Sequence, residues 1–281
     1  MINIMYSGNA NIFDGILSSV VSIIYFYKQP ININILTMDL HEIQSNYQPI
    51  TNEMCESINN VLKKTNPLSN CVLHDLTENY KKDSNTISIA KRFTPYALLR
   101  LYSSELSDMP SKILYLDADT LAHDSIESLY NTDITNYEIA ASKDYYGRVL
   151  KGRNYINSGV LLINMDKIKE TKLFEKARAM CKEKRMFLAD QDAINKCVTS
   201  ILILDDKFNH QRRIKKDTVI RHYCTSFRVF PVIRMKKVKQ YEVDKVLKDK
   251  HKVYKDEKIE AILKHFLKVK EELITPSADI V

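Results

Sequence analysis

The chain has 281 residues, 44% of them hydrophobic and 27% charged, with a formal net charge of +7. That balance belongs to an ordinary folded protein, long enough to bury a sizeable core as one α/β unit, and it excludes disorder as the default state. Cys55, Cys71, Cys181, Cys197 and Cys224 are scattered and odd in number with no Cys-x-x-Cys pair, which points to reduced thiols rather than a disulfide framework or a zinc knuckle.

Met1–Tyr6 lacks the basic and apolar regions of a signal peptide. Ile16–Tyr27, the most apolar early run, is broken by serines and falls short of the ~20 apolar residues of a membrane span. The expected setting is cytoplasmic.

In chain order, Ile2–Tyr6 reads as a strand and Phe13–Tyr27 as a helix. Ile31–Thr37 alternates with period two and reads as a second strand. Residues 50–64 are helical in pattern, Cys71–Leu73 is a third short strand, and Tyr96–Leu106 is a helix with Pro95 near its start, where a missing N–H costs least. Lys112–Leu116 is the clearest buried strand. Glu138–Ser142 and Gly159–Ile163 follow as strands, then helices over 165–170, 173–184 and 190–198. Ser200–Asp205 and Thr218–Tyr223 are late strands. After Pro231 the pattern is basic and helical; from Arg228 onward there are 14 Lys/Arg against 9 Asp/Glu.

This alternation predicts an α/β fold with βαβ units and a mostly parallel sheet flanked by helices. Such sheets bind ligands beyond the carboxyl ends of their strands, where strand order reverses. Only five glycines occur, and none makes a dinucleotide fingerprint or a P-loop. A bound phosphate would need a metal or basic side chains.

The strongest local signal is Lys112–Leu116 emptying into Asp117-Ala118-Asp119-Thr120. Residues i and i+2 of an extended chain share a face, so both carboxylates can converge on one cation. Hard divalent ions favour such oxygen ligands and leave room for phosphates. Two other readings stand beside this one. Asp119 or Asp124 could cap a helix over Ser125–Tyr130. A phosphatase-type loop would make Asp117 a nucleophile, but Leu121 stands where that loop has Thr or Val.

Four motifs in order carry a resemblance: Ile113–Thr120, Tyr155-Ile-Asn157-Ser158-Gly159 through Asn164, Leu188-Ala-Asp190-Gln191-Asp192 through Asn195, and Arg221-His222-Tyr-Cys224. Together they resemble the family-8 retaining glycosyltransferases of GT-A (Rossmann-like) fold. The likeness covers residues 1–230, implying a nucleotide-sugar-binding catalytic domain there and a basic helical extension over 231–281.

The resemblance implies that Asp117, Asp119 and His222 hold Mn²⁺, with Mg²⁺ as the alternative, and that Asp117 also meets the donor. Arg100, 17 residues before Asp117, corresponds to the family's donor-contacting arginine. Asn157 and Ser158 match the turn beside the donor sugar. Asp190 and Gln191 match the catalytic pair, Asp190 on sugar hydroxyls and Gln191 near the anomeric carbon, with Asp192 supporting the following helix. The sequence also departs from the pattern. Thr225 replaces a glycine, Arg228-Val229-Phe230 replaces Lys-Pro-Trp with Arg228 keeping a cation for the diphosphate, and Tyr6-Ser-Gly-Asn9 stands where relatives have Ala-x-Asp.

The implied activity is transfer of glucose or galactose from a UDP-sugar to a glycan, lipid-linked or other hydroxyl acceptor, with retention, in cell-surface glycan biosynthesis. The alternatives are a catalytically silent nucleotide-sugar binder and an Asp-x-Asp phosphohydrolase. In the basic tail, apolar residues from Ile259 to Leu267 are spaced by three and four, as an amphipathic helix requires. That helix would pack on the catalytic domain or lie peripherally on the inner face of the cell membrane. No motif for nucleic acid is present.

Overall fold

The structure, a computed structural model, describes residues 1–84, 94–183, 186, 188–212, 214–224, 226–228, 234–236, 239–243, 246 and 257–274. The chain opens with β1 (Ile2–Ser7), α1 (Phe13–Phe26), β2 (Ile31–Thr37), α2 (Asn52–Thr65), β3 (Asn70–Asp75) and α3 (Thr77–Ser84). A 3₁₀ helix, Pro95–Glu105, leads to β4 (Lys112–Leu116), β5 (Thr120–Ala122) and α4 (Glu127–Tyr130). Then come β6 (Ile139–Lys143), α5 (Gly147–Leu150), β7 (Ile156–Asn164), α6 (Met165–Thr171), α7 (Leu173–Glu183), α8 (Ala189–Cys197) and β8 (Ile201–Leu204). Last are β9 (Ile220–His222), β10 (Ser226–Arg228), β11 (Arg234–Lys236) and α9 (Glu257–Ile274).

Seven strands form one sheet in the order β3-β2-β1-β4-β7-β6-β8. Only β7 runs against its neighbours, β4 and β6; the other pairs are parallel. The chain leaves β1 toward β2 and β3, then returns to place β4 on β1's other side. The carboxyl ends of β1 and β4 therefore flank the switch point, where open α/β sheets bind ligands.

Alternation along each central strand divides two cores. Ile4, Tyr6, Leu114 and Leu116 face the layer that holds α1 and α2. Met5, Ile113 and Tyr115 face the layer built from the 3₁₀ helix and α6–α8. A period of two with both faces buried gives near-continuous apolar runs, as seen in Lys112–Leu116.

In α9, Ile259, Ile262, Leu263 and Phe266 are each at most 1% exposed and join the core around α1, while Leu267 stays 40% exposed. Lys270 pairs with Asp14, and Lys64 lies 3.1 Å from Glu272. Packing on the domain is thus where the amphipathic face of α9 goes.

Three expectations are corrected. Residues 96–106 are not α-helical: the segment winds as 3₁₀ helix, whose three-residue turn stacks i and i+3. Thr94, Ala97 and Arg100 consequently line one cleft. The segment after Pro231 is not helical throughout, since β11 pairs antiparallel with β10. Neither Asp119 nor Asp124 caps α4, whose N-cap is Ile126 without a side-chain bond.

Candidate active site

Asp117 follows β4 directly, and its N–H bonds to Gly159 O at 2.8 Å, tying the end of β4 to β7. The chain then turns, with Thr120 donating to Asp117 O through both its N–H (3.1 Å) and its hydroxyl (2.8 Å). This turn starts β5, which pairs with β9 so that Thr120 faces His222. A short two-stranded ladder thereby delivers an imidazole from late in the chain to the two carboxylates.

His222 Nε2 lies 3.0 Å from Asp119 Oδ1 and 3.6 Å from Asp117 Oδ2. One ligand atom from each of the three residues lies within 4.8 Å of the others. Gly159 makes the space: a Cβ there would stand 2.2 Å from His222 Cε1 and 2.7 Å from Asp117 Oδ2. Two carboxylates and an imidazole, packed against a residue without a side chain, fit a small divalent cation.

A hydrogen-bonded chain sets the imidazole tautomer. The Asp144 carboxylate can only accept, and its Oδ2 takes a bond from Asn157 Nδ2 at 2.9 Å. Asn157 Oδ1 then accepts from Asn209 Nδ2 at 2.9 Å and from Gly159 N at 3.0 Å. Asn209 Oδ1 is left to face His222 Nδ1 at 3.2 Å, so Nδ1 carries the proton. Nε2 is then the atom left to meet a cation held with the carboxylates, as in a metal-ligating histidine.

On the opposite wall, Arg100 is 4% exposed and lies over the Tyr115 ring at 4.0 Å. Its fork reaches Asp117 Oδ1 (2.9 Å), Asp190 Oδ2 (3.2 Å) and the Ser158 carbonyl. It is a buried strut that joins both carboxylates, not a solvated surface arginine. Burial would disfavour its charge, but Tyr115, Asp117 and Asp190 outweigh that and raise its pKa. Asp190 shows the reverse balance. Burial pushes it up to about 6, Arg100 pulling down and Asp117 pushing up. Asp119 is also buried, yet His222 and Lys239 overcome burial and hold its carboxyl well below the usual range.

Gln191 Oε1 accepts from Ser158 N at 3.1 Å, and its Nε2 faces Asp144 Oδ2 at 3.4 Å. Asp192 does support α8: its Oδ2 accepts from Leu188 N at 2.9 Å, while Tyr155 and Lys151 hold Oδ1. The predicted residues Arg100, Asp117, Asp119, Ser158, Asp190 and Gln191 line one cleft of about 460 Å³ with Ser7–Asn9. Asn157 and His222 stand behind it. Arg228 lies on β10, with its side chain outside the described residues, as is Thr225.

Two charged residues of the site, Asp144 and Lys239, escaped the sequence reading. Asp144 follows β6 just past a register shift in its pairing with β7, the kind of irregularity that re-aims a side chain. Its only sequence signal is a carboxylate at a strand's end. Lys239 pairs with Asp119 Oδ2. Its neighbour Gln240, fully buried, donates to the Ala118 and Gly15 carbonyls and fixes the segment beside Asp119. Nothing in a lysine-rich stretch singles out Lys239.

The switch-point cleft thus brings paired carboxylates and an imidazole together at the carboxyl edge of an α/β sheet. The sequence matches the model of glycosyl transferase family 8 over residues 3–229, and the chain belongs to that family. A Haemophilus influenzae protein named as a glycosyltransferase is 32% identical over 172 residues, which are 52% of this chain and 50% of that one. Glycosyltransferase GlyA of Streptococcus pneumoniae is 26% identical over 211 residues, 74% of this chain but 27% of its own. The chain thus spans about half the length of the first relative and about a quarter of the second.

Among solved structures, the galactosyltransferase LgtC in complex with donor and acceptor sugar analogues matches with a TM-score of 0.68 at 17% identity, over 99% of this chain and 98% of that one. GlyE of Streptococcus pneumoniae matches at 0.62 and 17% identity, over 100% and 67%. The fold is GT-A, as expected. No helix among the described residues is long and apolar enough to cross a membrane.

Proposed function

We propose that the chain transfers a hexose, glucose or galactose, from a UDP-sugar to a hydroxyl of a glycan or lipid-linked acceptor, retaining the anomeric configuration. The observation that carries this reading is the meeting of Asp117, Asp119 and His222 across Gly159, in the cleft that also holds Arg100, Asp190 and Gln191. A divalent ion on the three ligands, Mn²⁺ by the mix of oxygen and nitrogen donors, would supply positive charge to the leaving diphosphate.

The chain's own residues do the rest. Lys239, on the cleft wall, adds a cation where negative charge grows, the general form of electrostatic catalysis. Arg228 has the same assignment by motif. Asp190, fixed by Arg100, accepts from sugar hydroxyls and sets the ring's position. Gln191, held by Ser158, presents a neutral amide near the anomeric carbon, which stabilises positive character without being a strong nucleophile. Retention follows if the acceptor attacks from the leaving-group side, so no covalent carboxylate is required, unlike in retaining hydrolases.

Peripheral membrane contact through the C-terminal helix has less support, because its apolar face is taken up by α1. The test is a panel of UDP-sugars with Mn²⁺, scored by slow donor hydrolysis and by the anomeric proton of the product. Release of an α-configured hexose from one UDP-sugar is the expected result. Phosphate release from sugar phosphates without UDP would favour the phosphohydrolase instead.

A further inference from the structure

A second cleft, of about 340 Å³, is lined in part by Asn209, which also touches the metal-type site. Asn209 is its link, since the same side chain bonds His222 and Asn157. Four cations line it, Lys143, Arg148, Arg212 and Lys215, against one carboxylate, Asp206, which lies 3.7 Å from Arg148. Neither Lys143 nor Lys215 has a carboxylate partner among the described residues. Arg148 and Arg212 both lie against the Tyr145 ring, at 5.1 and 4.6 Å from its centroid, and Arg212 also bonds the Tyr145 hydroxyl.

The cleft is built rather than incidental. Gln211, 8% exposed, accepts from Tyr145 N at 2.8 Å and donates to Lys143 O at 3.0 Å, stapling its two walls together. His210, 6% exposed, has Nδ1 hydrogen-bonded with Thr218 Oγ1 at 2.6 Å, and its buried Nε2 has no hydrogen-bond partner among the described residues. Gathering four like charges along one cleft is unfavourable unless an anion offsets them. Guanidinium forks and ammonium groups at one mouth suit the several acceptor oxygens of a phosphate ester.

The placement matters as much as the charge. Tyr145 directly follows Asp144, which bonds Asn157 and faces Gln191. A group held here is joined through Asp144 and Asn209 to Asn157 and Gln191, residues assigned to the donor sugar, and the cleft has neither Arg100 nor Lys239 in its lining. We propose that this cleft binds a phosphate ester carried by the acceptor, an inference that rests on the transferase reading above. Two sources share that chemistry, a phosphorylated sugar and a lipid phosphate. The rim next to Arg148 carries Val149 and Leu150, each 79% exposed, which could meet a lipid chain.

The test is calorimetric titration of the protein, saturated with UDP and Mn²⁺, with hexose 6-phosphate, geranyl phosphate, inorganic phosphate and unphosphorylated hexose. Binding of the phosphorylated probes but not of neutral hexose is expected, weakened about tenfold or more by Lys143→Glu or Lys215→Glu, with UDP affinity unchanged. Tighter binding of geranyl phosphate would assign the lipid source, and tighter binding of hexose 6-phosphate the sugar source. Equal binding of phosphorylated and neutral probes, affinity indifferent to both variants, or phosphate that only displaces UDP would each overturn the proposal. If UDP itself fails to bind, the donor reading falls, and the same titrations without nucleotide still decide the cleft.

Discussion

Lys239 and His222 grip opposite oxygens of one carboxylate: the lysine ammonium is bonded to Asp119 Oδ2, and His222 Nε2 lies 3.0 Å from Oδ1. A cation from the C-terminal part of the chain thus sits at the edge of the three-ligand cluster. Its own pKa is raised: burial opposes the charge, and Asp119 more than offsets it.

A divalent ion must share Asp119 with this ammonium or displace it. Lys239→Met should therefore tighten Mn²⁺ binding to the nucleotide-free protein several-fold, because a competing charge is removed from the ligand. UDP affinity at saturating Mn²⁺ should fall at the same time. Electron paramagnetic resonance of free Mn²⁺ checks the first effect and calorimetry the second. Weaker metal binding in Lys239→Met would contradict the competition.

Gly159→Ala adds one methyl group where 2.2 Å separates it from His222 Cε1. Because the other close atom is Asp117 Oδ2, two of the three ligands must shift. Metal affinity should drop at least tenfold while urea unfolding of the metal-free protein moves by only about 1–3 kcal/mol, the usual range for overpacking.

Asp144→Asn tests the relay that orients His222. An amide at residue 144 can donate as well as accept, so the polarity of the Asn157 and Asn209 bonds is no longer fixed. Loss of outer partners of a ligating histidine costs roughly 10–100-fold in metal affinity. Normal metal affinity with altered turnover would instead confine Asp144 to the sugar side of the site.

Asp190, raised to about 6 from an ordinary 3.8, gives a signed pH dependence. A raised folded pKa favours the fold fully below the unfolded value of about 3.8 and that contribution is lost as pH rises through about 6. Sugar binding needs the opposite form, the carboxylate. The kcat/KM for the donor should thus fall as pH drops through about 6, and Asp190→Asn should lose that limb. An unchanged acid limb in Asp190→Asn would assign it to another group.

Much of this site was legible because its residues sit at strand ends. Asp117 and Asp119 follow a plainly buried apolar strand, and Ile31–Thr37 was legible as a strand from its period of two, while the layer each side chain enters came only with the fold. Arg100 was singled out by the family resemblance, but its burial was not foreseen, because the 3₁₀ winding that turns it inward has no signature distinct from an α-helix in that stretch. Asp144 and Lys239 depend on a strand irregularity and on a glutamine anchor, Gln240, that reaches back to Ala118. Such long-range bonds leave no periodic trace. The apolar spacing of α9 predicted a helix with one buried face, and only the fold could say that α1 covers it.

The measurement that tests the central claim most directly is calorimetric titration of UDP into the wild-type protein and His222→Ala, each with Mn²⁺ and with chelator. The account predicts UDP binding that requires Mn²⁺ in the wild type and is lost or weakened at least tenfold in His222→Ala, whose thermal unfolding without metal stays close to wild type. UDP binding of equal strength in chelator, or undiminished in His222→Ala, would contradict it.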